Sequence, residues 1–421
     1  MTKNSLHRTF AKLIVALILV RIGFIVLKPF NAVSLDMIYW QEVVNQLIGP
    51  NPSNPYLTTT RLAYPPLWLE VLYFLGKISI SIGIPLQYLI QSVLILAECG
   101  MVATLLYLCH ARPRTILVAI VLNPIAILQS CQHLNFDQLV GLLVLLFMVF
   151  LLEFYDSKKP IDWLCACFFL GVGMLTKTIP VVLLPLLVQG ARSLDRKTLL
   201  LGAALLFSPV AVGMGVILAL GEKGVLVNVI QYRSIPAPIG ISGLGMFLSQ
   251  ESANLFARVH SNVFFLVLLA SLMALTKPLR ELPTISHEYA VLVAAGLLIA
   301  IPTLGPGYGT QYIYWYLPLL AFLYELTTSS VRKFLMICYA VAALTYLVDY
   351  SFVTPYGALL VKWSGSQSVH SLSALFNRIG PSYMLHLPLY SCYAAFVGYA
   401  VIRTLRLARS MLLKDGNRVS A

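Results

Sequence analysis

The sequence predicts an all-α, polytopic membrane protein with about 12 transmembrane helices. Apolar residues make up 59% of the 421 positions, charged residues only 11%, and the mean hydropathy is +0.84. A soluble domain has about a quarter of its residues charged, and a helix needs about 20 consecutive apolar residues to cross a bilayer. Spans account for nearly the whole length, so we expect a single integral membrane domain over residues 1–421.

Twelve apolar runs define the predicted crossings. The first extends from Phe10 to Leu27 and is followed by no small-residue cleavage site, so we expect a retained span and not a removed signal peptide. The other runs lie at about 87–108, 115–130, 137–154, 161–176, 178–190, 198–219, 260–276, 288–304, 312–327, 334–352 and 386–405. Several are short for a crossing and need residues from their flanks.

The basic residues predict the orientation of these spans. Nineteen of the 29 Lys and Arg lie in the N-terminal segment, in the connectors 110–114, 158–159, 192–197, 277–280 and 332–333, and in the tail from Arg403. The positive-inside rule places these segments in the cytoplasm, together with both termini. The net charge of +13 therefore indicates membrane topology, and we expect no nucleic-acid partner.

One apolar segment, Leu67–Ile84, does not fit this alternation. As a full crossing it would invert the side of every later basic connector. It carries Glu70 and Lys77 and follows Pro65-Pro66, so we predict an amphipathic helix at the outer surface. The alternative is a full span, offset by two other runs such as 161–176 and 178–190 that would form one hairpin-like element.

The segment 29–86, which is polar up to Pro66, is the predicted extracytoplasmic loop with juxtamembrane helices. A loop of this length in a chain made mostly of spans is expected to be functional. It contains Asp36, one of only 16 acidic residues, surrounded by aromatic residues that include Tyr64. Asp36 is a candidate general base whose basicity desolvation could raise. Its other interpretation is a helix N-cap or the partner of a cation.

Further polar residues are predicted on the same face. Lys177 lies between two short apolar runs, where a charge is costly, and could hold a phosphate or extend to the interface. Arg233 and His133 could supply further donors. Asp137 could orient His133 or pair with Lys177. No third ligand accompanies His133 and Asp137, so we predict no metal.

These residue types favour a reaction on a lipid-linked phosphosugar. A base, a cationic site of phosphate size and aromatic rings suit the sugar and its phosphate, and grooves between helices suit a polyprenyl tail. The sequence has no P-loop, GxGxxG or GxSxG motif. A multi-pass transporter or flippase of a lipid-linked or small solute is the alternative, although no internal repeat of the kind found in transporters is evident.

Several motifs, in this order, resemble a known superfamily. Asp36 precedes Asn54-Pro55-Tyr56 and Tyr64-Pro65-Pro66-Leu67, then come Asn123-Pro124, the stretch from His133 to Asp137, and the stretch from Lys177 to Pro185. The run TQYIYWYL at 310–317 is similar to the Ser-Gln-Tyr-x-x-Trp-Tyr-Leu segment of the GPI first mannosyltransferases. Over residues 10–320 the chain thus resembles the polyprenyl-phosphate-sugar glycosyltransferases of the GT-C superfamily.

The resemblance implies inverting transfer of a hexose, often mannose, from a polyprenyl-phosphate carrier on the extracytoplasmic face. Asp36 occupies the position of the family's catalytic carboxylate. The GPI enzymes carry Asp-x-Asp there, whereas this chain has Asp36-Met37-Ile38 with one acid, which favours a bacterial relative. We therefore expect a multi-pass protein of the bacterial plasma membrane, or of the ER membrane in a eukaryote.

The expected partners and site residues follow from the same resemblance. The donor is a lipid-linked sugar that serves as co-substrate, with no cofactor, and the acceptor is a glycan, a glycolipid or a protein. We expect Asp36 to be catalytic. The donor phosphate would be bound by Lys177, Arg233 and His133, and the substrate site would be lined by Tyr64, Asp137, Gln311, Tyr312 and Trp315.

Overall fold

The protein is all-helical wherever its structure is described. The computed structural model describes residues 3–27, 34–58, 62–219, 228–229, 241, 244, 248–281, 285–305, 310–348 and 381–419. Every regular element in these ranges is a helix, so the prediction of an all-α fold is confirmed. Arg233 and most of the predicted loop 354–385 lie outside the described residues.

The helices are numbered in chain order. They are α1 (Lys3–Leu27), α2 (Leu35–Ile48), α3 (Pro55–Thr58), α4 (Leu67–Ile82), α5 (Leu86–Leu108), α6 (Pro113–Val121), α7 (Pro124–His133), α8 (Asp137–Ser157), α9 (Pro160–Thr176), α10 (Ile179–Ala191), α11 (Arg196–Ala219), α12 (Gln250–Glu281), α13 (His287–Leu304), α14 (Leu317–Leu326), α15 (Ser329–Val348) and α16 (Pro381–Val419). A 3₁₀ turn, Thr310–Trp315, precedes α14.

Seven of these helices are long and apolar enough to cross a membrane, which indicates a multi-pass membrane protein. Helices α6 and α7 are bent by 42° at a short break and make an eighth span if they cross together. The predicted number of about twelve is not confirmed in the described part of the chain. For three of the predicted crossings the reason is length, because α9, α10 and α14 are apolar but have only 10–17 residues.

The polar contacts gather at two ends of the bundle. Helix α8 has 21 residues, so its ends are about 30 Å apart. The basic end is marked by contacts of His7 with Tyr107, Arg112 with Glu325, His287 with Asp156 and Arg403 with Glu288. The site end carries the contacts of Asp36 with His133, Lys177 with Asp137 and Tyr346 with His133. The predicted separation of the basic connectors from the candidate site is thus present in the fold.

Helices α8 and α13 form the centre of the bundle. Most of their side chains are buried, including Phe147 and Leu151 on α8 and Leu298 on α13. Helices α1, α11 and α12 instead expose many apolar side chains, such as Leu19 and Leu266. Exposed apolar faces of this kind suit contact with lipid tails, because water would disfavour them.

The segment that did not fit the predicted alternation forms α4, a helix of 16 residues. It packs closely on α2 through Gly76, where an added Cβ would lie 2.6 Å from Val44 Cγ1. Its other face exposes Phe74 and Ile80. Helix α4 is thus apolar on its packed face and on its exposed face, and its location at the outer surface stays a prediction.

The break between α6 and α7 leaves backbone groups open inside an apolar bundle, and two side chains satisfy them. Arg21 on α1 donates from Nη1 to the carbonyl of Val121 and from Nη2 to that of Ile120, both at 2.9 Å. Asn123 donates to the carbonyl of Ala119 at 2.8 Å and accepts from the amide of Ile125 at 2.9 Å. The break is therefore a fixed structural feature, since unpaired carbonyls at this depth would each cost several kcal/mol.

Glu98 on α5 supplies the counter-charge for Arg21. The Arg21 Nε to Glu98 Oε2 distance is 2.8 Å, and both side chains are fully buried. Tyr314 donates its hydroxyl proton to the other Glu98 oxygen at 3.2 Å. The pair therefore connects α1, α5, the broken helix and the 3₁₀ turn.

We expect Arg21→Leu to destabilise the protein by about 3–5 kcal/mol, because it leaves Glu98 buried without a counter-charge. The measurement is unfolding in mixed micelles with increasing SDS. Lys12→Leu is the control, since it removes an exposed cation from the same helix. Equal stability of the two variants would contradict the role given to Arg21.

Candidate functional site

Asp36 lies in the first turn of α2, where three elements meet. Ser34 caps this helix by accepting from the amide of Met37, and its hydroxyl donates to the carbonyl of His133 at 2.8 Å. His133 Nε2 lies 2.8 Å from Asp36 Oδ2, and the Asn135 amide donates to the same oxygen at 3.0 Å. The cap thus holds α2 against the end of α7 and fixes the carboxylate beside an imidazole.

A strained residue directs the chain from α7 to Asn135. Leu134 has φ 62° and ψ 37°, a left-handed conformation that is uncommon for a residue with a branched side chain. The conformation is held by a hydrogen bond from the Leu134 amide to the carbonyl of Gln129 and by one from Trp40 Nε1 to the Leu134 carbonyl. Strain of this kind concentrates at functional sites.

The ionisation of Asp36 differs from the sequence-based expectation. Burial alone raises the pKa of Asp36, but the charge and hydrogen bond of His133, the hydrogen bond of Asn135 and the charge of Lys177 together outweigh it. The pKa of Asp36 therefore lies below its usual value, and the expectation that desolvation raises its basicity is wrong in direction. Asp36 is a fixed carboxylate over the neutral range.

Lys177 forms an ion pair with Asp137, which is one of the two roles predicted for Asp137. It lies in the break between α9 and α10, and its Nζ is 2.7 Å from Asp137 Oδ1. The indole of Trp315 donates a hydrogen bond to the same oxygen. The Lys177 and Asp137 side chains are 7% and 0% exposed, so this pair is closed to solvent. Lys177 is thus not a lone cation in this structure.

Aromatic rings surround the Lys177 ammonium group. The rings of Tyr312 and Trp315 have centroids 4.8 Å from Nζ, and those of Tyr64 and Phe136 lie at 5.3 and 5.4 Å. Tyr312 and Trp315 stack at 4.2 Å. Cation–π attraction adds to the ion pair and holds all of these rings at one end of the bundle.

The aromatic cluster around Lys177 continues toward Asp36. Phe136 stacks on Trp68 at 4.9 Å and lies 6.0 Å from Trp40, which is one turn after Asp36 on α2. The two ionic pairs therefore border one aromatic cluster. The Asp36 side chain is 30% exposed and that of His133 is 15% exposed, so the Asp36 pair is open to a substrate while the Lys177 pair is closed.

The structure brings together most of the predicted site residues. Asp36, His133, Asp137, Lys177, Tyr64, Tyr312 and Trp315 share the site end, and Gln311 is half-buried on the same 3₁₀ turn as Tyr312. Arg233 lies outside the described residues. Within the described ranges, no three His, Cys, Asp or Glu side chains converge as metal ligands do.

Sequence reasoning missed Asn135, Ser34 and Tyr346. Asn135 was visible between His133 and Asp137 as a polar residue next to two candidates. Tyr346 lies on α15, and its hydroxyl is 3.5 Å from His133 Nδ1. Nothing in the sequence near Tyr346 distinguishes it from the other 21 tyrosines, so only the packing reveals its place.

The chain was also compared with known proteins. No family model matches it, and no curated protein is similar to it. Functional conclusions therefore depend on the residues and their geometry.

Gly141 allows the 3₁₀ turn to approach α8 closely enough for Trp315 to reach Asp137. A Cβ added there would lie 2.7 Å from the carbonyl oxygen of Tyr314. We expect Gly141→Ala to lower the free energy of unfolding by about 1–3 kcal/mol, as overpacking does. Gly23→Ala, on α1, is the control because its Cβ would meet nothing within 4 Å.

Unfolding of both glycine variants in mixed micelles checks this prediction. Alanine favours a helix over glycine by about 0.5–1 kcal/mol, so Gly23→Ala should be neutral or stabilising. A Gly141→Ala variant that also gains stability would contradict the close contact.

Proposed function

We propose that the protein is an inverting glycosyltransferase that moves a hexose, with mannose favoured, from a polyprenyl-phosphate carrier to an acceptor hydroxyl. The observation that carries the proposal is the partly exposed Asp36 carboxylate, held ionised by His133 and Asn135 beside an aromatic cluster that contains a buried cation. Carboxylate, aromatic faces and fixed cations are what transfer of a sugar from a lipid phosphate requires.

Asp36 acts as the general base in this proposal. The acceptor hydroxyl gives its proton to Asp36, and its oxygen forms the new bond to the anomeric carbon. The bond from that carbon to the phosphate oxygen breaks, and its electron pair leaves with the carrier phosphate. A phosphate leaving group needs no protonation at neutral pH, so the step needs no general acid, and the ionised Asp36 is available to accept the acceptor proton.

The positive charges stabilise the phosphate in the transition state. The charge of Lys177 is matched by Asp137, so Lys177 alone supplies little net positive potential. His133 is also paired, with Asp36, but its side chain is more exposed than that of Lys177, so we assign the direct phosphate contact to His133. Arg233 adds a second cation by its sequence position, and Lys177 holds the rings that stack on the sugar.

The membrane arrangement proposed with this function has twelve crossings. Each of the twelve apolar runs overlaps a helix or the 3₁₀ turn and helix at 310–326. The basic end faces the cytoplasm by the positive-inside rule, which puts Asp36 and Lys177 on the extracytoplasmic side. This sidedness suits a lipid-linked donor, since no nucleotide sugar is needed there.

We expect Asp36→Asn to reduce kcat by about 10²–10⁴-fold, because the amide cannot accept the proton. Purified protein is supplied with a panel of radiolabelled polyprenyl-phosphate sugars and acceptors, and the product is identified. Glu42→Gln is the control, since it neutralises an exposed acid on the same helix. Near-normal transfer by Asp36→Asn would rule out this base.

We expect the acid limb of the pH–rate profile to move toward neutral pH in His133→Gln. The wild-type limb should lie below the pH range of an ordinary aspartate, because the pKa of Asp36 is lowered. Without the imidazole, less opposes the effect of burial, which raises the pKa of Asp36. Activity therefore falls at a higher pH than in wild type. His287→Gln, which removes a histidine paired with Asp156 at the basic end, should keep the wild-type profile.

The measurement is kcat/KM of wild type and both histidine variants across the acid range. An unchanged acid limb in His133→Gln would contradict the coupling between His133 and Asp36.

A transporter or flippase is the alternative function. The buried ion pairs favour it, because charges inside a membrane often mark transport pathways. All three guanidinium nitrogens of Arg21 donate to protein groups. Arg21 therefore suits a structural role better than a role in transport. Proteoliposomes with a labelled polyprenyl-phosphate sugar separate the two functions. Transfer releases the carrier phosphate, whereas transport moves the intact donor to the opposite leaflet.

A further inference from the structure

A large groove opens at the basic end, far from the candidate active site. It has a volume of about 890 Å³ and lies between α6, α14 and α15. Val118 and Met336 on its walls are 52% and 57% exposed. Its lining extends from Arg112 to Ala119, which corresponds to about 10 Å of helix, so it reaches from the end of the bundle into the apolar zone.

The mouth of the groove is cationic and rigid. The guanidinium carbons of Arg112 and Arg332 lie 5.7 and 5.6 Å from the centroid of the Tyr324 ring. Arg332 donates to the carbonyls of Tyr324 and Glu325, which are neutral groups. Arg112 and Arg114 line the groove, and Arg114 is exposed, whereas Arg332 lies beside the lining residue Tyr324.

One acid also lies at this mouth. Glu325 accepts from Arg112 Nε at 2.9 Å and from the hydroxyl of Thr115, and its side chain is 12% exposed. The lining residues Arg112 and Arg114, with their neighbours Arg332 and Glu325, leave a net charge of about +2 around the mouth. The Arg112 side chain is 55% exposed, so it remains accessible to a second anion.

We propose that this groove binds an anionic phospholipid of the membrane leaflet at the basic end. Its phosphate contacts Arg112 and Arg114, and an acyl chain lies along the apolar walls formed by α6, α14 and α15. A charged mouth above an apolar depth matches the two parts of such a lipid. The charge at the mouth selects an anionic headgroup over a zwitterionic one. The site is independent of the proposed transferase activity.

Native mass spectrometry of the delipidated full chain tests the proposal with phosphatidylglycerol and phosphatidylcholine as probes. We expect wild type to retain phosphatidylglycerol more strongly. Arg114→Gln, which breaks no described hydrogen bond or ion pair, should weaken that retention about fivefold, the effect of one basic residue near an anionic lipid. Arg112→Gln/Arg114→Gln should abolish the preference.

Two further variants keep the test decisive. Lys159→Gln removes an exposed cation from the same end outside the groove and should leave retention unchanged. Ala340→Phe fills the groove and should reduce the binding of both lipids. If the double arginine variant does not fold, Arg114→Gln and Ala340→Phe still decide the question.

Three results would overturn the proposal. The first is equal retention of the two phospholipids by wild type. The second is the same loss in Lys159→Gln as in Arg114→Gln. The third is occupation of the groove by something else, seen as preferential retention of a polyprenyl phosphate or as a dimer that Ala340→Phe disrupts.

Discussion

The break between α6 and α7 is the constraint on which the rest of the site end depends. Backbone groups opened inside an apolar bundle must find partners in the protein, and here Arg21 and Asn123 provide them. Because the break bends the chain by 42°, α7 leads away from the line of α6 and ends at His133. The next residues, Asn135 and Asp137, then meet two different partners, so one bend positions both ionic pairs.

The buried pair of Arg21 and Glu98 also connects this break to the other side of the site. Tyr314 donates to Glu98, and its neighbour Trp315 donates to Asp137. A shift at Glu98 would therefore be transmitted to the ring that contacts Lys177. The two pairs at the site end differ in exposure, with that of Asp36 and His133 open and that of Lys177 and Asp137 closed. In the proposed function, the open pair carries the chemistry and the closed pair holds the aromatic surface.

The sequence predicted the members of the site better than their pairing. An acid among aromatic residues in a long polar segment identified Asp36, and a charge between short apolar runs identified Lys177, because both patterns are local. The partner of Arg21 lies 77 positions away, and Tyr346 lies 213 positions from His133. No local pattern encodes such contacts. The prediction that the pKa of Asp36 is raised was wrong for the same reason, because the shift depends on the distant residues His133 and Asn135. The short runs at 161–176 and 178–190 correspond closely to α9 and α10, but helices of 10–17 residues do not by themselves establish a crossing.

A structure of the Asp36→Asn protein in nanodiscs with a bound polyprenyl-phosphate hexose tests the central claim most directly. If Asp36 is the base, the anomeric carbon of the donor lies within a few ångströms of residue 36, its phosphate contacts His133, and its ring lies on the aromatic cluster around Lys177. A donor bound at the basic end, or with its phosphate farther than the length of a hexose from residue 36, would contradict the claim.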